Sequence, residues 1–159
     1  WQYRTSEGSG MGGQWGAAVD GTQAYFSVNG TRSPTPGGVR AVEIDTGKEV
    51  WSKGPFEKLC GDLRGCSAAQ GAAVTAVPGI VFSGSMDGGI RAYASDNGAV
   101  IWQFDTNREF DTVNGVPGNG GSIDSSPYVA ADGMLYVVSG YARFGEAPGN
   151  VLLAFKPRK

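Results

Sequence analysis

Histidine is absent from the 159 residues, and that absence removes Ser-His-Asp and Cys-His catalysis, histidine-ligated zinc and haem attachment through Cys-x-x-Cys-His. Any chemistry must come from carboxylates, amides or a bound cofactor. Charge is also scarce: 13 Lys and Arg against 15 Asp and Glu leave a net charge of −2. No basic cluster occurs beyond the terminal Lys156-Pro157-Arg158-Lys159, so the electrostatic footprint of phosphate-backbone binding is missing and nucleic acid is not an expected partner. No apolar run approaches the ~20 residues of a membrane-spanning helix, and no signal peptide is visible. The chain opens on Trp1, and the expectation is a processed product or a piece of a longer protein.

Cysteine occurs twice, as Cys60 and Cys66 in CGDLRGC. The short interval suits a disulfide that closes a surface loop. The alternatives are metal binding or free thiols, although a bare pair lacks the four ligands of structural zinc. A disulfide implies an oxidising compartment, periplasmic or extracellular.

Glycine, by contrast, is abundant. The 27 glycines stand singly or in pairs between short runs of β-like composition, which points to many short strands joined by tight turns. One such turn lies in AVEIDTGKEVW, Ala41 to Trp51, where Gly47 is expected to take the positive φ that a two-stranded connection needs. The arrangement returns in AYASDNGAVIW, Ala92 to Trp102, with Ala, turn Gly and Trp all shifted by 51 residues. Upstream, GAAVDGTQAYFSVNG (from Gly16), GAAVTAVPGIVFSGS (from Gly71) and SPYVAADGMLYVVSG (from Ser126) match at a spacing of 55 residues.

Each copy holds a small-residue strand, a Gly turn and an apolar strand (Ala24–Val28, Ile80–Ser83, Met134–Val138). A third strand follows (Val39–Ile44, Ile90–Ala94, Val151–Phe155), and the first two copies add a fourth that begins at Glu49 or Val100 and carries the Trp. Four antiparallel strands at this period describe an all-β propeller blade. About three blades are expected in a partial β-propeller over residues 1–159: 12–56, 67–106 and 120–156, with 1–4 (WQYR) as the last strand of a preceding blade. Three blades cannot close a ring of about four to eight. The expectation is a part of a larger, eight-bladed propeller, completed by its remaining blades or by a second chain. WQYR could instead supply the missing fourth strand beside Phe155, in its own chain or in a neighbour.

The pattern Ala-x-x-x-x-Thr-Gly-Lys-x-x-Trp resembles the tryptophan-docking motif of the quinoprotein propellers, the PQQ-dependent alcohol dehydrogenases. That resemblance implies that Thr46, Gly47, Lys48, Trp51, Gly98 and Trp102 are inter-blade structural residues. VFSGSMDGGIRAY, FDTVNG, SGYARFG and PGNVLLAF look most similar to the polyvinyl alcohol dehydrogenase branch. The family implies PQQ and Ca2+ as cofactors, oxidation of secondary or polymeric alcohols, and a cytochrome c as electron acceptor. A second reading is a non-catalytic PQQ-like propeller acting as a binding or assembly scaffold.

The resemblance also nominates site residues. Trp15, with Gln14 beside it in GGQWG, matches the tryptophan floor under the quinone, and Asn29 the asparagine that binds calcium. Both also read as core and turn residues. The related enzymes place a carboxylate base after the docking Trp, often in a Trp-Asp pair; none exists here, and Asp62 in the cysteine loop is the nearest substitute. Asp87 stands where many relatives carry a basic residue beside the quinone, or merely forms a hairpin turn with Gly88. In the amide-rich stretch FDTVNGVPGNGGSID, Asp111, Asn119 and Asp124 are candidate metal ligands and Asn114 a candidate cofactor contact, against the alternative of a glycine-rich loop held by Asx turns. Arg143 could pair with a cofactor carboxylate.

Overall fold

A computed structural model describes residues 1–6, 15–125 and 128–157. Thirteen strands and no helix occur among the described residues. The first sheet orders β1 (Ala18–Val19), β2 (Gln23–Ser27), β3 (Val39–Glu43) and β4 (Glu49–Lys53); the second orders β5 (Thr75–Val77), β6 (Ile80–Gly84), β7 (Gly89–Ala94) and β8 (Val100–Asp105). The third has three strands, β11 (Val129–Ala131), β12 (Met134–Ser139) and β13 (Val151–Phe155). All neighbours are antiparallel and consecutive in sequence, the up-and-down order of propeller blades.

Alternation of apolar side chains lets adjacent sheets bury facing sides against each other, while the outer face of the third sheet, with Tyr136, Val138 and Leu152, stays exposed. Between the first and second sheets, Tyr25, Val39, Ala41 and Trp51 meet Val74, Val81 and Tyr93. Between the second and third, Ile90 and Phe82 meet Ile123, Tyr128, Leu135 and Val137. The pairs Tyr25↔Ala41, Phe82↔Ala92 and Tyr136↔Ala154 hold equivalent places. The hairpins are thus related by offsets of 57 (25 to 82) and 54 (82 to 136), not by the uniform 55 read from GAAV. In the first step the slip is two residues, which keeps every side chain on its face because strand periodicity is two.

The docking of tryptophan on a glycine turn is seen twice. Trp51 donates its indole N–H to the Ser95 carbonyl at 2.8 Å, and Trp1 does the same to Ile44 at 2.8 Å. Gly47 and Gly98 both hold φ at +70°. A Cβ at Gly98 would stand 2.5 Å from the Trp51 ring, and one at Gly47 would overlap the ring of Trp1. Lys48 takes its place through its backbone, donating to Thr46 Oγ1 at 3.1 Å. Trp102 packs against Phe104 and Phe155 instead, beside an apolar cavity of about 910 Å³ lined also by Phe82 and Leu135.

WQYR does not pair with β13 of its own chain; Trp1 and Tyr3 lie on the first sheet, Trp1 docking on the Gly47 turn as Trp51 docks on Gly98, and Tyr3 edge-on to Phe26 at 5.4 Å. The stretch after Asp105 is not a plain loop, because β9 (Glu109–Phe110) and β10 (Gly118–Asn119) pair as a small hairpin.

If the glycine turn is what seats the indole, Trp51→Ala should cost about 3–5 kcal/mol of stability and Gly98→Ala about 1–3 kcal/mol. Chemical denaturation of the two variants measures both. A Gly98→Ala variant as stable as its parent would remove the turn from the docking argument.

Candidate functional site

Three loops converge on one pair of carboxylates. Trp15 lies just before β1, Asp124 between β10 and β11, and Glu146 between β12 and β13. Ser122 organises the meeting: its amide donates to the Ala147 carbonyl at 2.9 Å, its Oγ accepts from the Ala147 amide at 3.0 Å, and the same Oγ donates to the Met86 carbonyl at 2.5 Å. The small hydroxyl at position 122 therefore joins segments of the second and third sheets, and brings Asp124 and Glu146 to the same place.

Asp124 is only 3% exposed and Glu146 5%. Glu146 accepts from the Phe144 amide at 2.7 Å. Trp15, 46% exposed, brings its indole to the Asp124 carboxylate, and Asp124 Oδ1 has no hydrogen-bond partner among the described residues. Burial chiefly, and then the neighbouring Glu146 charge, hold the Asp124 carboxyl above its ordinary 3.8, with the Trp15 bond opposing. A buried, incompletely satisfied carboxylate beside a second carboxylate and a half-exposed flat ring can accept a cation or a proton.

The other nominated residues do not join them. Asp62 is fully solvated, 3.5 Å from Lys58, so the environment that tunes a catalytic base is lacking. Asp111 and Asn114 sit exposed on the β9–β10 hairpin, where Asn114 accepts from Thr112 Oγ1 at 2.6 Å. Asn119 is spent on structure, donating to the Pro148 carbonyl at 3.0 Å. Asn29 is buried, but its Oδ1 accepts from the Thr31 amide at 3.1 Å, an Asx turn completed by Gly30 at φ +57°. Arg143 is exposed, its guanidinium 5.9 Å from the Phe144 ring. Gln14 lies outside the described residues. Among the described residues no group of three or more His, Cys, Asp or Glu could hold a metal by themselves.

Asp87 is more than a simple turn residue. It is fully buried, 3.7 Å from Arg91, and accepts from the amides of Gly89 at 2.8 Å and Leu59 at 3.0 Å. Arg91 donates to Ser85 Oγ and Gln103 Oε1, both at 2.9 Å, and lies 4.6 Å from the Phe56 ring. The network is satisfied on every side and reads as architecture. An arginine inside an otherwise apolar strand was the available signal, since a buried guanidinium demands a carboxylate. Glu146 carried no such signal. Cys60 and Cys66 are disulfide-bonded, as the short interval suggested.

The comparisons with known proteins agree with this fold. The family described as outer membrane protein assembly factor BamB matches residues 1–122 and again 35–156. A polyvinylalcohol dehydrogenase of a Pseudomonas species is 39% identical over 168 residues, covering 98% of this chain and 26% of the relative. One from a Sphingopyxis species is 34% identical with the same coverage. The chain thus spans about a quarter of the length of the curated relatives it matches. Among solved structures, the quinohemoprotein alcohol dehydrogenase of Comamonas testosteroni superposes with a TM-score of 0.64 at 20% identity, over 91% of this chain and 19% of that one. BamB of Moraxella catarrhalis gives 0.56 at 20%, over 88% and 36%.

The raised Asp124 pKa has a sign that can be tested. Because the folded protein holds this proton more tightly than the unfolded chain, ionisation costs stability as pH rises from about 3.8 through the folded value. Asp124→Asn, which keeps the shape of the side chain and removes its charge, should therefore be more stable than the parent at neutral pH. That advantage should vanish below the ordinary carboxyl range. Denaturation midpoints across pH for the two proteins decide it.

Proposed function

The chain belongs to the quinoprotein β-propeller family, and from that premise we propose that it contributes blades to a PQQ-dependent alcohol dehydrogenase acting on secondary or polymeric alcohols such as polyvinyl alcohol. The observation that carries this reading is the 39% identity running through 98% of the chain to a polyvinylalcohol dehydrogenase. Calcium and PQQ are the cofactors, the remaining blades or a second chain complete the ring, and a cytochrome c takes the electrons. The disulfide favours a periplasmic or extracellular home.

The residues present are compatible with that cofactor pair to a limited extent. Trp15 offers a half-exposed planar ring, and Asp124 a buried carboxylate oxygen with no partner among the described residues. Trp15 would stack on a planar quinone, and Asp124 with Glu146 would face a divalent cation. When bound, the quinone accepts hydride and calcium polarises its carbonyl. This chain's own residues orient and desolvate: Ser122 fixes the loop that carries Asp124, and the packed second and third sheets exclude water behind it. Asp62, solvated in the cysteine loop, is the residue nominated as the alcohol's base, and no other described residue is placed for that role.

The test is an absorbance titration of the intact protein with PQQ at graded calcium, followed by assays with secondary alcohols and polyvinyl alcohol. Saturable, calcium-dependent binding is expected, and Asp124→Ala should weaken calcium affinity by at least about tenfold. Indifference to PQQ would overturn the dehydrogenase reading and leave an assembly scaffold, the role favoured by the BamB family match.

A further inference from the structure

We infer that the Cys60–Cys66 loop is a redox-sensitive strut that holds Glu146 against Asp124. The inference stands on the loop's backbone contacts with the second sheet and with the Gly145–Glu146 segment, and holds whether or not a quinone binds.

The loop touches two sheets. At its entry, the Leu59 amide donates to the buried Asp87 carboxylate at 3.0 Å, so this end is pinned to the second sheet. At its far end, Gly65 at φ +80° lies directly on the segment before β13. A Cβ there would overlap the Gly145 carbonyl oxygen and stand 2.8 Å from the Glu146 Cα. The loop therefore supports the backbone of Glu146 from outside, while Ser122 holds it from inside through Ala147.

Little besides the disulfide keeps the strut in shape. Asp62, Leu63 and Arg64 are exposed, so burial does not fold the loop. Two backbone bonds span it, Leu63 to Cys60 at 3.2 Å and Cys66 to Leu63 at 3.0 Å. The cross-link brings the two Cα atoms to 5.8 Å and removes most of the loop's freedom. Cleavage needs a dithiol: the S–S bond takes up two electrons and two protons to give two cysteine thiols, and the dithiol closes into its own disulfide. The freed loop then no longer backs the Gly145–Glu146 segment, and the carboxylate pair loses its outer wall. Gly65 and the two cysteines are thus positioning residues for Glu146.

Hydrogen exchange read by mass spectrometry on the intact protein, oxidised and dithiol-reduced, tests this. A 19F spectrum of the 5-fluorotryptophan-labelled protein accompanies it, with thiol titration to confirm cleavage. On reduction, residues 143–148 should exchange faster and the Trp15 resonance should shift, because Trp15 lies beside the Asp124 carboxylate. Residues 39–53 and the Trp51 resonance should not change, and reoxidation should restore both signals. Gly65→Ala should reproduce the loosening with the disulfide intact, which keeps the test decisive if Cys60→Ser with Cys66→Ser fails to fold. An unchanged 143–148 segment and Trp15 signal in the reduced protein or in Gly65→Ala would overturn the strut. So would faster exchange of residues 39–53 to the same degree, which would make the disulfide a general staple.

Discussion

The contact on which this architecture depends is an indole laid flat on a glycine turn. Trp51 reaches from the last strand of the first sheet to the β7–β8 turn of the second, donates to Ser95, and lies where any side chain at position 98 would stand. Its ring stacks on Tyr93 at 6.3 Å and tilts against Tyr25 at 6.0 Å, so one residue closes the outer end of the core between two sheets. Trp1 repeats the arrangement on Gly47. Because both ends of each contact lie within one repeat period, the sheets stack at a common spacing without any long-range element. Position by position, each sheet is held by its neighbours and by little else.

That stacking leaves the loops between sheets to do the individual work. Gln70 shows the structural use: fully buried, it accepts from the Gly38 amide at 2.8 Å and donates to Ser83 Oγ at 2.8 Å and to Tyr93 Oη at 3.2 Å, tying first sheet to second. Burial pushes the Tyr93 hydroxyl up to about 12, so it stays neutral and keeps that bond. Ser122 makes the corresponding tie between second and third sheets, and there the balance differs. Its loop delivers Asp124 into a buried place with an acceptor left over. A buried polar atom without a partner is uncommon in an otherwise satisfied fold, and its position beside Glu146 and Trp15 is what separates this corner from the closed Asp87–Arg91 network.

The contrast between these two acidic sites also separates architecture from candidate chemistry. Asp87 is as buried as Asp124, but every oxygen has a donor and a guanidinium stands beside it. Asp124 faces another carboxylate and one indole N–H. The second environment favours a proton or a cation that can come and go.

Strand order, turn glycines and docking tryptophans could be read from the chain because each is a local requirement. Gly47 and Gly98 need positive φ, alternation sets the buried faces, and a short cysteine interval can close on itself. The family's repeat phrases carried the same local information. The hairpin period slipped by two residues in the first step without harm, since an even slip preserves the faces. The site behaved differently. Asp111, Asn114, Asn119 and Asp124 are close in sequence, yet a two-stranded hairpin carries the first two outward, Asn119 bonds across to Pro148, and only Asp124 turns inward. Its neighbour Glu146 stands 22 positions later and has no pattern around it. The sequence by itself determined the sheets and the contacts between them, because backbone conformation and periodicity are set within a few residues. Which carboxylates meet was decided only by tertiary structure, because Ser122 joins loops from different sheets and no local rule records that crossing.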